Sequence, residues 1–200
     1  MIHPTALIDP RARVHPTSEV GAYTVIGKDV RIGAGTRIGC HCVIGGAPEH
    51  EQHWKNWKYG VRIGANCFIS NGVTIDSGTE HDTIVEDDVT ILRQAHVGHD
   101  AKIMSGVTLS CSVLVGGHAV IFTLANLGLG AIVHQRCLIA PLAMVGMGGV
   151  VTKKSQILPF HIYVGNPVKA IRRNEVGIER SGLDKESLDA LEKEFNELAV

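Results

Sequence analysis

Aromatic residues make up only 4% of this 200-residue chain. A core short of large rings must fill its volume with many small aliphatic contacts. Charge of one sign is also missing. Nineteen Lys and Arg stand against twenty Asp and Glu, so no broad field exists to hold nucleic acid or an anionic membrane, and an anionic ligand must be gripped locally. No apolar run approaches the roughly 18 to 20 residues that span a bilayer. The opening MIHPTALIDP has neither the basic start nor the apolar stretch of a secretory signal, and a cytoplasmic location is expected. The five cysteines are odd in number and contain no C-x-x-C pair. That argues against a disulfide framework and a zinc knuckle, and reduced thiols are expected.

What the chain does have is glycine, 23 residues of it, and a repeat. Aliphatic residues recur every sixth position at Ile2, Ile8, Val14, Val20, Ile26, Ile32, Ile38 and Ile44. The frame resumes at Ile63, Ile69 and Ile75 and runs again from Val85 through Ile91, Val97 and onward to Val145 and Val151. Four residues after most of these stands a small or compact side chain, such as Ala12, Ser18, Thr24, Cys42, Cys67, Ala101, Ala119 or Cys137. A period of six fits neither a helix nor simple strand alternation. Short strands joined by tight corners do fit it: one aliphatic per strand fills a narrow interior, and a small residue fits beside it. The chain is predicted to wind as a parallel β-helix. Cys42, Cys67 and Cys137 are expected as interior packing residues, with Cys40 and Cys111 at corners and no base to activate them.

The hexads resemble those of the hexapeptide-repeat acyltransferases. That resemblance implies an all-β solenoid, a left-handed parallel β-helix with three hexads, about 18 residues, in each triangular coil. The predicted solenoid domain is 1–165. Residues 46–60, GAPEHEQHWKNWKYG, and 79–84, TEHDTI, interrupt the count as inserted loops, which on a solenoid fall on one face, commonly the binding face. Residues 166–200 are expected as a C-terminal helical extension. Within it Leu188, Leu191, Phe195 and Leu198 give an amphipathic helix that docks on the solenoid or on a neighbouring subunit.

A coil of that length brings His99 directly beneath Gly117, and Gln135 above that glycine, with Asp100, His118 and Arg136 in the adjacent column. A histidine with a carboxylate beside it, facing a glycine whose N–H no side chain obstructs, has the parts for acyl transfer. His96, His99, His118 and His134 converge on neighbouring coils. His3, His15 and His41 are expected as solvated surface groups, His161 falls in an irregular segment, and His50, His53 and His81 lie in the inserted loops, facing water, with contact to ligand as the alternative. A metal site is the rival reading of the histidines, as in the γ-class carbonic anhydrases. Asp100 directly after His99, and the use the glycine has above it, favour acid–base chemistry with no metal.

The ordered motifs AHVGHD, VGGHAV, VHQRC, GNPVKAI and NEVGIERSG resemble the UDP-N-acetylglucosamine O-acyltransferases that begin lipid A synthesis. The similarity covers nearly the whole chain. It implies transfer of a 3-hydroxyacyl group to a sugar hydroxyl, with an acyl carrier protein or coenzyme A thioester as co-substrate and no cofactor. In those terms His99 is the base, Asp100 orients it, and Gly117 supplies an N–H to the oxyanion. His96, His118, His134, Gln135, Lys58 and Asn56 match substrate-binding positions, Asn56 standing where that family usually has aspartate. Asn174 and Arg180 match contacts to the acyl group or nucleotide. Val176 replaces an acidic residue, and Ser181 breaks the family's usual arginine pair. Met147 falls in the acyl-chain groove, where a thioether fills volume and favours a chain of about ten carbons or fewer. A homotrimer with sites between subunits is implied. GNPVKAI is shared with coenzyme A-dependent enzymes, so N-acylation of an amino-sugar nucleotide is the alternative.

Overall fold

The computed structural model describes residues 1–198. Over most of that length the chain is a triangular solenoid of two- to four-residue strands gathered into three parallel sheets. The first face holds eight strands, from Leu7–Ile8 to Val150–Val151. The second holds seven, from Arg13–Val14 to Leu138–Ile139, and the third nine, from Glu19–Val20 to Val168–Arg173. Each regular strand points one residue out and one in. The inward set, including Ile26, Ile44, Ile75, Ile103, Leu109, Ile121 and Ile139, is almost wholly shielded from solvent.

The compact residues of each hexad are buried beside these aliphatics and are satisfied there. Ser18, Thr24 and Thr36 donate their hydroxyls to the carbonyls of Gly33, Gly39 and Gly64 on the next coil. Cys42 and Cys67 do the same with their thiols, toward Ser70 and Glu86. A buried polar group so paired costs little. Cys137 is buried as well, while Cys40 and Cys111 are half-buried.

Corners turn through a residue in the left-handed region, and in one column these residues are Asp100, His118 and Arg136, with φ of 59°, 57° and 60°. Non-glycine residues adopt that region at a cost. It is tolerated here because stacked coils fix each corner from above and below. Both insertions leave the same edge of the prism, between the first and second faces. The first follows Val43–Gly46 and returns at Val61–Ile63. The second lies between Thr74–Asp76 and Thr83–Val85, so that Thr83 and Ile84, the end of the 79–84 stretch, already pair with Val61 and Arg62.

Segment 166–200 opens with a strand rather than a helix. His161–Gly165 pairs antiparallel with Val168–Arg173 across a turn holding Asn166 and Pro167, adding a hairpin to the third face. Two helices follow, α1 (Glu175–Ser181) and α2 (Lys185–Leu198). Phe195 is the buried anchor of α2 and meets Phe122 of the solenoid edge-on at 5.0 Å. Leu188 and Leu191 are half-buried and Leu198 is exposed, so the amphipathic stripe docks on its own solenoid through one aromatic. No helix among the described residues is long and apolar enough to cross a membrane.

Candidate functional site

The strand His96–Val97 ends the first face of its coil, and the chain then turns through Gly98, His99 and Asp100 to reach Lys102–Ile103 on the second face. The left-handed backbone at Asp100 brings its carboxylate back alongside the preceding imidazole. His99 Nδ1 lies 2.7 Å from Asp100 Oδ2. The carboxylate cannot donate, so His99 donates from Nδ1 and its Nε2 is left with a free lone pair.

Asp100 is itself over-supplied with donors. Both carboxylate oxygens accept from the Thr79 N–H at 3.0 Å, the Thr79 hydroxyl reaches Oδ2 at 2.6 Å, and the Glu80 and His81 N–H groups reach Oδ1 at 2.9 Å. Burial alone would raise the pKa of this carboxyl. Donation by Thr79, His81, His99 and Glu80 prevails and holds it well below the usual carboxylate range. Asp100 is therefore ionised at neutral pH, and it fixes both the tautomer and the ring orientation of His99.

Gly117 sits one coil above. A Cβ built there would lie 2.8 Å from His99 Nε2 and 2.9 Å from Cε1, so the imidazole rests against the bare face of this glycine. Gly98 has the matching role on the other side: a Cβ there would stand 2.8 Å from the Gly117 nitrogen. Neighbours of Gly117 bond within the solenoid, Gly116 N–H to Val133 and His118 N–H to His99. The Gly117 N–H itself has no protein acceptor among the described residues. Two missing side chains thus leave room beside one imidazole and one free amide.

The space in front is an open cleft of about 540 Å³. Its walls include Glu49, Asp76, His96, His99, Gly117, His134 and Gln135. His118 stands behind, edge-on to His99 with ring centroids 5.1 Å apart and its Nε2 3.6 Å from Asp100 Oδ2. Burial lowers the pKa of His118 against the attraction of Asp100. His134 is exposed, with Nδ1 3.0 Å from the Gln135 carbonyl oxygen.

Several members of the site had no sequence signal of their own. Glu49 and His50 come from the first insertion, where His50 was expected to face water. Its ring stands 5.6 Å from that of His99 in an edge contact. Thr79, Glu80 and His81 come from the second insertion and grip Asp100 through their backbone N–H groups and the Thr79 hydroxyl. Asp76 lies 3.9 Å from His96 Nε2, and the other ring nitrogen of His96 meets the Thr74 hydroxyl at 2.8 Å.

Burial raises the pKa of Asp76, with His96 opposing. The sign follows: a carboxyl with a raised folded-state pKa penalises folding above that pKa, and the penalty disappears as pH falls through it. Asp76→Asn is therefore expected to melt higher than wild type at pH 7 to 8, the gain shrinking in acid. A lower melting temperature for the variant at neutral pH would contradict this.

The remaining sequence-predicted residues lie elsewhere on a single chain. Asn56 and Lys58 are exposed on the first insertion and do not line the cleft. Asn174 is buried as the N-cap of α1, accepting from the Gly177 N–H at 3.1 Å and donating to the Leu142 carbonyl at 2.9 Å. Arg180 borders a separate cavity of about 430 Å³ on the third face, with Asn174, Asn126 and Met144. Met147 is 75% exposed, on the edge between the third and first faces.

Ligand atoms of His99, Asp100 and His118 come within 4.8 Å of one another, the spacing a metal would need. Asp100 nevertheless spends its lone pairs on Thr79, Glu80, His81 and His99. A cation would have to break these bonds, and the donor set is that of an oriented imidazole rather than an open ligand cage.

Residues 11–46 match the family model for bacterial transferase hexapeptide repeats. No protein of curated function matches the chain. Among solved structures, the chain is similar to the UDP-N-acetylglucosamine acyltransferase of Francisella novicida, with 27% identity and a TM-score of 0.81 over 96% of this chain and 78% of that one. The Bacteroides fragilis enzyme of the same name gives 27%, 0.80, 96% and 82%. The Moraxella catarrhalis UDP-N-acetylglucosamine O-acyltransferase gives 27%, 0.78, 96% and 82%.

Proposed function

We propose that this chain, which shares its solenoid with those acyltransferases along nearly its whole length, is itself an acyltransferase acting on a UDP-amino sugar such as UDP-N-acetylglucosamine. The observation that carries this reading is the His99 imidazole, oriented by Asp100, lying against the free N–H side of Gly117 at the wall of an open cleft. An acyl or 3-hydroxyacyl thioester, on acyl carrier protein or coenzyme A, is the co-substrate.

Transfer is direct. Neutral His99 takes the proton of the attacking hydroxyl through Nε2 while the new C–O bond forms, and the Gly117 N–H faces the developing oxyanion. Collapse of the tetrahedral carbon breaks the C–S bond, and the departing thiolate receives the proton from His99. Ionised Asp100 balances the imidazolium formed between these steps. His96, His134 and Gln135 line the cleft around the reactants, and His118 backs the His99–Asp100 pair.

The solenoid faces support a homotrimer. Outward residues of the first face include Leu7, Val25, Val43, Leu114 and Ile132, all exposed, whereas the second and third faces present Arg13, Arg31, Arg62, Glu19 and Arg37. A flat apolar face on a soluble body calls for a partner, and pairing around a threefold axis is a closed solution. His99 and Met147 flank opposite edges of that face. Apposed subunits would thus bring the Met147 edge, with Asn174 and Arg180 nearby, toward the cleft of a neighbour. Met147 then shortens the acyl groove, and Lys58 of the first insertion contacts the nucleotide or donor.

The test is incubation of the purified oligomer, a trimer by sedimentation, with UDP-N-acetylglucosamine and a series of acyl thioesters. Thiol release and mass spectrometry of the sugar nucleotide are the readouts. The expected product is a singly acylated sugar nucleotide, formed fastest from chains of about ten carbons or fewer. Thiol release with no acylated sugar nucleotide would contradict the reading; an acylated amine in place of a hydroxyl would favour the alternative acceptor.

A further inference from the structure

The second face carries a feature that folding does not require. Arg13 lies in register with Arg31, and Arg31 with Arg62, so three guanidinium groups project side by side from consecutive coils. Like charges directly opposite one another on neighbouring strands are destabilising. The third face shows the ordinary arrangement, with Arg37 in register with Glu19. The second face repeats arginine instead.

Local carboxylates neutralise this ladder only in part. Arg62 is paired with Asp82, and Arg11, at the same prism edge, with Asp29. Arg31 adds a weaker attraction to Asp82, after Arg62. Neither Arg13 nor Arg31 has a carboxylate within ion-pair distance among the described residues. All three ladder arginines are exposed. Lys28 at the adjoining edge donates to the Trp57 carbonyl at 2.9 Å and lies over the Trp57 ring, and Lys55 and Lys58 stand exposed on the insertion above it. The patch is a basic surface, not a closed ion-pair network.

Its position gives it a use. The edge bearing His99 is also the border of the second face, and Lys102 of the catalytic coil continues the ladder's column through Ile84. Arg62, Arg31 and Arg13 therefore stand two, three and four coils from the catalytic one, roughly 10 to 19 Å at the ordinary strand spacing. A partner seated there cannot place its own surface at the cleft. It must deliver the reacting thioester on an extended arm. Helix α2, by contrast, presents Glu186, Asp189, Glu192, Glu194 and Glu197 against Lys185 and Lys193, and repels an acidic protein.

We propose that the ladder of Arg13, Arg31 and Arg62 is the docking surface for an acidic carrier protein that presents the acyl thioester on a flexible arm. This rests on the acyl-transfer reading of the His99 cleft and selects the carrier-bound donor over coenzyme A. Guanidinium groups suit the task because they pair bidentately with surface carboxylates. Such contacts act mainly through steering and salt-dependent affinity.

The test is calorimetric titration of the full chain with holo-acyl carrier protein, at low and at high salt. Wild type should bind, and more weakly at high salt. Arg13→Glu with Arg31→Glu should weaken binding by about tenfold or more, and the corresponding alanine pair by less. Arg37→Glu, the same charge change on the third face, should leave binding within about twofold. Circular dichroism verifies that each variant is folded, and the alanine pair, which adds no repulsion, stands in if the glutamate pair does not fold. Absence of binding by wild type would overturn the proposal. So would an undiminished affinity in the double variants, an equal loss in Arg37→Glu, or a ladder that takes inorganic phosphate but not the carrier. Turnover of a free acyl-pantetheine thioester, which needs no docking, reports separately on the chemistry: if it persists while docking fails, the cleft reading stands and the docking surface does not.

Discussion

Replacing His99 with alanine is expected to lower acyl transfer by about 10² to 10⁴-fold, with unfolding close to wild type. The ring sits on the open side of a glycine and lines the cleft, outside the aliphatic interior, so its loss leaves no large core cavity. Asp100 loses one donor and keeps those of Thr79, Glu80 and His81, which is why the corner should survive. Without the imidazole no group against Gly117 can take the attacking proton. His118 faces Asp100 through its Nε2 at 3.6 Å and stands behind His99. Steady-state assays alongside thermal melts check this, and near-normal turnover in a folded His99→Ala protein would refute the base assignment.

The second large effect is expected from a single methyl group. Gly117→Ala places its Cβ 2.8 Å from His99 Nε2 and 2.9 Å from Cε1, closer than real contacts permit, so the imidazole must tilt away. The backbone φ of Gly117 is not in the left-handed region, and alanine meets no other barrier to folding there. The strain falls on a side-chain ring that can move, so stability should change little. Catalysis should not be spared. The proton acceptor is displaced by a fraction of an ångström or more, and the methyl group stands beside the free amide. Misplacement on that scale, or loss of one oxyanion donor, costs on the order of 10²-fold. The variant should bind the sugar nucleotide yet lose turnover. A fully active Gly117→Ala protein would show that neither the glycine face nor its N–H matters.

These two residues were legible from the sequence because the regular hexads after Val85 make coil arithmetic reliable. His96 pairs with Leu114, and Leu114 with Ile132, each 18 positions on, which places His99, Gly117 and Gln135 in one column. The same arithmetic fails below His96. Its partner is Thr74, 22 positions earlier, because the second insertion lengthens that coil, and an 18-residue spacing therefore does not place Thr74 and Asp76 beside it. Insertions also hid the donors to Asp100. Thr79, Glu80 and His81 bind it largely through backbone N–H groups, whose direction no side-chain pattern encodes. His50 was hidden differently: loop histidines usually face water, and only folding of the first insertion over the cleft sets its ring against His99. The hairpin of His161–Gly165 and Val168–Arg173 was masked because its antiparallel pairing has no period of six.

Two buried carboxylates near His99 have opposite character. Asp100 is surrounded by donors and driven toward ionisation, while Asp76 is buried with few partners and driven toward protonation. Two carboxyl groups whose surroundings drive their titration apart are suited to separate tasks. In the proposed mechanism Asp100 orients the base. Asp76 lies beside His96 on the cleft wall, with Glu49.

The arrangement of imidazole and amide around one carbon is tested most directly by a crystal structure with the acylated sugar nucleotide bound in the cleft. The acyl carbonyl oxygen should lie about 2.7 to 3.1 Å from the Gly117 nitrogen, and the ester oxygen within hydrogen-bond reach of His99 Nε2. An acyl carbon bound away from both groups, with the cleft beside His99 empty or filled by another part of the ligand, would contradict the mechanism.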